Sequence, residues 1–408
     1  MKMKTLLPVV AVLFGLFTPA QPAFAQDWTL TSAPVTNWTS IASSADGTRL
    51  VALASANGGA PIYASSDSGT TWASLANAPN ELWSCIASSA DGSKLVAGTF
   101  TSRVYVSINF GTTWAQTSAP SNYWVSVGSS ADGTELMAAC VGGTGIGGFY
   151  TSGDSGTTWS NTLTWGSLGW ASFACSADGT KWVGAWTPIN PNNVDFGSIF
   201  VSTNSGYTWR TSGAPKGPIW GSVASSADGT KLAAAVGDPH GSAANGPIYT
   251  STNSGATWRP SIMPNLECWC IGSSADGTKL VAFGGLVYLS TNSGAAWWSH
   301  PNQYFSARFG CSSADGKAIA ALVTSVNGGP IYTLQTTPTP ILNLIPCASN
   351  ALLSWLIPSM DFTLQQNSDL TTTNWTDVPT PPVLNLTNLQ NQVLVSPTNG
   401  NTFYRLKH

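Results

Sequence analysis

The chain has 408 residues, a formal net charge of -3 and only 8% charged residues, so it lacks the basic field that would draw nucleic acid. Its length allows two domains with a sizeable core. The 41 Gly and 19 Trp call for many tight turns and for either deep aromatic packing or an aromatic binding surface.

Residues 1–25 read as a secretory signal peptide. Lys2 and Lys4 give a basic start, Leu6 to Phe17 an apolar run, and Ala23-Phe24-Ala25 a small-residue cleavage site before Gln26. No later stretch approaches transmembrane length. The mature chain is therefore expected to be exported (periplasmic, cell-surface or extracellular), without a transmembrane segment.

Beyond Gln26 one segment dominates. Ser43-Ser44-Ala45-Asp46-Gly47 comes back with its Asp at Asp91, Asp132, Asp178, Asp228, Asp276 and Asp315, at spacings of 45, 41, 46, 50, 48 and 39 residues. A period in the forties with several short apolar runs per unit is that of a β-propeller blade. Within residues 220–259 the four strands can be followed. Trp220 to Ser225 leads into an Asp228-Gly229 turn, then Lys231 to Val236, then Pro247 to Ser251, and a second turn at Asn253-Ser254-Gly255 opens the fourth strand.

The second turn carries a family signal. Ser66-Asp67-Ser68-Gly69-Thr70-Thr71-Trp72 recurs at Asn109 to Trp114, Asp154 to Trp159, Asn204 to Trp209, Asn253 to Trp258 and, weakened, Asn292 to Trp297. This resembles the Asp-box (BNR repeat) of sialidases, sortilin-type receptors, some xyloglucan hydrolases and a photosystem assembly factor. The resemblance covers residues 26–335. It implies an all-β, seven-bladed propeller whose boxes lie away from the active face. The last unit ends at Gly329 to Leu334 without a box, while Asp27 to Pro34 matches the segment after a box, Trp114 to Pro120. The N-terminal segment is thus expected to supply the missing strand and close the ring.

Thr336-Thr337-Pro338-Thr339-Pro340 reads as a stiff linker over 336–340. Residues 341–408 offer short strand candidates at Ile341–Ile345, Leu352–Ile357, Phe362–Gln366, Val383–Leu386, Val393–Val395 and Phe403–Leu406. Their spacing suggests a small immunoglobulin- or fibronectin-like sandwich. The segments Phe362–Gln365, Asn374–Thr376 and Phe403–Leu406 resemble tail modules of exported bacterial proteins.

The seven Cys are odd in number, and Cys85, Cys175, Cys270 and Cys311 fall on the same strand of different units. Buried thiols fit this pattern better than a disulfide framework. Cys268 and Cys270 have no second pair and no nearby His, so no metal site is expected. No cofactor motif is present either.

The face opposite the two tight turns carries the loops that vary in length, so function is expected there. At its rim Trp38, Trp83, Trp124, Trp170 and Trp220 hold one position, with Trp269 and Arg308 near it in the last two units. These aromatics either wedge between blades or stack on sugar rings; the pattern admits both. Glu81, Glu267, Asp195 and Asp238 are the loop carboxylates. A pair held about 5 to 10 Å apart would suit glycosidic-bond chemistry, and solvated loop charges are the plainer reading. Sialidase activity is rejected: Arg49, Arg210 and Arg259 lie away from the mouth, and no Arg-Ile-Pro motif exists. The expected function is a monomeric, non-catalytic recognition protein for a glycan or a protein. A polysaccharide hydrolase or lyase, and a structural or assembly role at the cell envelope, stand as alternatives.

Overall fold

The SADG segments turn the chain for a local reason. In the first, the Ser44 hydroxyl donates to Asp46 Oδ1 at 2.5 Å, and the same oxygen accepts the Thr48 N–H at 3.0 Å. Ser44 N–H bonds the Arg49 carbonyl at 2.9 Å, and Gly47 takes a φ of +73° that a side chain would strain. The turn is thus wired by Ser, Asp and Gly together, and the same bonds recur at Ser89–Asp91, Ser130–Asp132, Ser176–Asp178, Ser226–Asp228 and Ser274–Asp276.

The computed structural model describes residues 27–56, 58–100, 103–141, 147–165, 169–188, 197–237, 246–261, 268–299, 303, 305–323, 328–335, 342–347, 350–356, 363–369, 372, 374–385, 390–395 and 402–407. The expected signal peptide and the 336–340 linker lie outside these residues. Among the described residues the protein is all-β. Its repeated part is a series of four-stranded antiparallel sheets, the architecture of a β-propeller. The first sheet runs Trp38–Ser43, Leu50–Ala54, Ile62–Ser65 and Ala73–Ser74 in spatial order. The same order recurs in sheets beginning at Trp83, Trp124, Gly169, Trp220 and Cys268. The last sheet holds Ala307–Ser312, Ala318–Val323 and Ile331–Gln335, and its outer strand is Thr29–Leu30, with Thr29 opposite Thr333 and Leu30 opposite Tyr332. Trp28 packs edge-on against Phe305 at 5.2 Å, and Phe305 stacks on Tyr332 at 4.3 Å. The N-terminal segment is held by rings as well as by its short ladder.

Neighbouring sheets touch through their first strands, from Trp38–Ser43 round to Ala307–Ser312 and back. Backbone bonds follow the same path. The N–H of Ala45 donates to the carbonyl of Ala90, Ala90 to Ala131, Ala131 to Ala177, Ala177 to Ala227, Ala227 to Ala275, Ala275 to Ala314, and Ala314 to Ala45, all at 2.6–2.8 Å. Ser hydroxyls add rungs between first strands: Ser40 accepts from Ile86 N–H, Ser172 from Val223 and Ser222 from Ile271, each at 3.2 Å.

The apolar clusters lie between consecutive units. One joins Val51, Leu53 and Ile62 to Trp83, Leu95 and Tyr105; another joins Val183, Ile199 and Val201 to Trp220, Val223 and Leu232. Where the seventh unit has Ala307 in place of Trp, buried Phe283 and partly buried Phe305 fill the gap. The seven cysteines are free, and burial pushes the Cys85, Cys175 and Cys311 thiols up to about 12.

The second turn also uses more than its sequence announced. Asp67 Oδ1 accepts from Thr71 N–H at 2.8 Å, and Asn109, Asn204, Asn253 and Asn292 offer the same amide oxygen in their units. In each of these second turns the Gly of positive φ is preceded by a non-Gly residue in the same region, such as Ser68 at 58° and Phe110 at 53°. The turn Trp bonds its own hairpin, Trp72 Nε1 to the Gly69 carbonyl at 3.0 Å.

In the C-terminal part, strands Asn343–Cys347, Asn350–Leu356, Gln390–Val395 and Val383–Asn385 form one sheet, and Thr376–Asp377, Thr363–Asn367 and Phe403–Lys407 another. Leu353, Trp355 and Val393 of the first sheet share a buried cluster with Leu364 of the second. The strand Thr376–Asp377 is an element that the spacing of apolar residues does not reveal.

An inter-unit strap recurs in units four, five and six. Lys181, Lys231 and Lys279 donate their Nζ to the carbonyls of Asp228, Asp276 and Asp315 at 2.7–2.9 Å. Unit three has Glu135 at that position, and its Oε2 is buried without a hydrogen-bond partner. Burial pushes the Glu135 carboxyl above its usual value, with Asp132 adding and the Ser205 hydroxyl opposing. A raised folded pKa means stability that is complete below the ordinary Glu range and lost as pH rises through the folded value. Glu135→Gln is therefore expected to raise the denaturant midpoint at pH 7, and the gain should vanish as pH falls below about 4; equal midpoints at pH 7 would contradict this.

Candidate ligand-binding site

Loops opposite the turns are set by where the strands stop. In unit two the segment before Trp83 runs back along unit one: Ala60 N–H bonds the Glu81 carbonyl at 3.1 Å, and Trp83 Nε1 donates to the Ala60 carbonyl at 3.1 Å. This anchors Glu81 beside the start of the first strand. The third strand, Val104–Ser107, brings Tyr105 to the same place, with its ring edge-on to Trp83 at 5.5 Å.

The three polar side chains meet there. The Tyr105 hydroxyl donates to Glu81 Oε1 at 2.7 Å and accepts from Arg103 Nη1 at 3.2 Å; Arg103 Nη1 stands 3.7 Å from Glu81 Oε1. The Arg103 side chain is 50% exposed and that of Glu81 19%. Burial, with Glu81 adding and Arg103 opposing, pushes the Tyr105 phenol above its ordinary value. Tyr105 therefore stays protonated at neutral pH and works as a hydrogen-bond donor rather than as a phenolate nucleophile. The cluster can orient polar ligand groups, but it offers no free base of its own.

Most of the aromatic rim is packing. Trp38, Trp83, Trp124 and Trp220 are 0–3% exposed, so their faces are covered by the neighbouring unit and cannot stack on a ligand. Trp38 Nε1 and Trp83 Nε1 also spend their donors on backbone carbonyls, of Gly329 and Ala60. This corrects the sugar-stacking reading for these four. The repeat position wedges between apolar faces of consecutive units, and Tyr63, Tyr105, Tyr150 and Tyr249 close on them edge-on at 5.3–5.5 Å. Trp170 lies on the strand Gly169–Cys175 opposite Thr187, and its side chain is outside the described residues. Trp269 is half-buried on Cys268–Ser273, and Arg308 is half-buried with its guanidinium carbon 5.8 Å from the Phe309 ring.

Of the four loop carboxylates only Glu81 is described; Asp195, Asp238 and Glu267 lie outside the described residues. No acid–base pair is assembled among the described residues of this face. The described residues also contain no group of three or more His, Cys, Asp or Glu able to hold a metal ion. The reading of single residues missed Arg103 and Tyr105 as partners of Glu81. The available signal was a break in the repeat, since Arg103 stands where other units place Pro, Gly, Ser or Leu before the third strand.

The sequence matches no family model and no curated protein. Solved structures of propeller type do resemble it. YCF48 from Cyanidioschyzon merolae aligns at 13% identity and a TM-score of 0.54, over 76% of this chain and 98% of that one. Hydrazine synthase from Kuenenia stuttgartiensis aligns at 13% and 0.56, over 75% and 97%. The GH74 xyloglucanase from Xanthomonas campestris aligns at 13% and 0.47, over 78% and 70%. At such identities the likeness to the first two carries the fold and nothing further.

A fully buried wedge has a stability cost that a stacking platform lacks. Trp124→Ala is expected to destabilise the protein by about 3–5 kcal/mol in chemical denaturation. An unchanged midpoint would return Trp124 to the ligand-binding reading.

Proposed function

We propose that this is an exported, non-catalytic recognition protein that binds a glycan or a protein through the variable-loop face. In this reading the repeat is a seven-bladed Asp-box propeller closed by its N-terminal strand, monomeric, with a small sandwich-like C-terminal module. The closed path of Ala-to-Ala backbone bonds and the Thr29–Leu30 pairing support the first part.

The observation that carries the function is the Glu81–Tyr105–Arg103 cluster. Its carboxylate is occupied by a hydroxyl and an Arg, its phenol is held neutral, and its Arg is half exposed. That is a fixed hydrogen-bonding surface rather than a poised acid and base. YCF48 has also been seen bound to a D1 peptide, so a propeller of this general shape can hold a polypeptide.

The test mixes purified protein with plant, algal and bacterial polysaccharides and with extracts of surface proteins, recording retention and any released oligosaccharide by mass spectrometry. Retention on a polymer or a protein without release is the expected result. Release of oligosaccharides would overturn the non-catalytic reading and direct attention to Glu81, Asp195, Asp238 and Glu267. Failure to retain any polymer or protein would overturn recognition in favour of a structural role.

A further inference from the structure

Among the described residues, the variable-loop face departs from the repeat at the junction of units two and three. Phe100 follows directly on the strand Leu95–Thr99, and its N–H bonds the Leu82 carbonyl at 2.9 Å, next to Glu81. Thr99 N–H donates to the Arg103 carbonyl at 3.0 Å, and Arg103 N–H donates to Thr99 Oγ1 at 2.9 Å. The Thr99–Arg103 bonds thus hold Arg103 close to the strand end that Phe100 follows. Across the junction, a Cβ at Gly98 would come within 2.9 Å of Trp124 Cβ. The backbone of Tyr123, one residue earlier, therefore lies near the same strand end. Phe100 is 43% exposed and Tyr123 49%. The position of Tyr123 holds Asn37, Leu82 and Ile219 in other units, so neither ring is demanded by the repeat.

We infer that Phe100, Tyr123, Arg103 and Glu81 form a subsite for a neutral polysaccharide; this rests on the recognition reading above and names its ligand class. Two exposed aromatic rings offer apolar faces of the kind a pyranose presents on its C–H side. Beside them, Arg103 has its Nη1 engaged by Tyr105 while the half-exposed guanidinium edge faces outward. A sugar hydroxyl can accept from that edge, and Tyr105 holds both charged groups in fixed positions for it. The charge arithmetic selects neutral polymers over acidic ones. Arg103 and Glu81 cancel at 3.7 Å, and the chain as a whole carries -3, so a polyanion meets no attracting field.

The experiment is affinity electrophoresis of the purified protein through gels containing mixed-linkage β-glucan, galactomannan or polygalacturonate, with thermal melting of every variant. A neutral polymer should retard the protein. Phe100→Ala, Tyr123→Ala and Arg103→Ala should each weaken that binding by about tenfold without a shift in melting. Tyr123→Phe should retain it, because the stacking face is kept. Arg103→Lys should not, because the planar edge is lost. Neutral-polymer binding that survives the Phe100→Ala/Tyr123→Ala double change would overturn the subsite and leave the recognition reading intact. Retardation by polygalacturonate alone would overturn the ligand class. Absence of retardation in all three gels would overturn the inference, and recognition would then stand or fall on the protein extracts of the preceding test.

Discussion

The backbone bonds between successive Ala residues of the SADG turns are the constraint on which the rest depends. Each turn must present one free N–H and one free C=O sideways at a fixed height, and a missing partner would leave a polar group unpaired between packed sheets. Ser, Asp and Gly meet that demand by tying up most of the turn's other polar atoms, so that the Ala peptide is the backbone group every turn shares with its neighbours. Asp91, Asp132, Asp228 and Asp276 are held down at about 2 chiefly by their Ser partners, a sign of how firmly the carboxylates are occupied. These carboxylates serve the turns and are not available for chemistry.

With the turns fixed, packing between units follows and tolerates substitution only in compensated form. A Trp wedge fills one side of the interface at Trp38, Trp83, Trp124 and Trp220, and its absence at Ala307 is matched by Phe283 in the preceding unit. Glu135 is an uncompensated case, a carboxyl where units four, five and six place a Lys strap. A scaffold held in this way leaves the opposite loops free to differ in length and composition, and unit two uses that freedom to gather Glu81, Arg103 and Phe100 at one junction.

The architecture was legible in the sequence because a repeat displays each structural requirement several times over. Asp-Gly turns, strand order and the N-terminal match to a post-box segment could all be read from the residues alone. The candidate site was much less so. Recurrence made the Trp series conspicuous, yet recurrence is the mark of packing, and Trp38, Trp83, Trp124 and Trp220 are buried. Phe100 and Tyr123, the exposed aromatics of the proposed subsite, occur once each, and nothing in local spacing separates them from ordinary loop residues. Glu81 was visible as a loop carboxylate, but its partnership with Tyr105 depends on a cross-strand approach over 24 residues that no short motif encodes. The positive φ at Ser68 and Phe110 was hidden for a similar reason, since only the following Gly advertises it.

Amide hydrogen exchange at Ala45, Ala90, Ala131, Ala177, Ala227, Ala275 and Ala314 tests the central claim most directly. If all units are locked in one closed path, the seven amides should be protected to similar degrees and exchange only with global opening. Fast exchange confined to Ala314, whose N–H returns to the Ala45 carbonyl, would show an open seam between the last and first units and contradict the account.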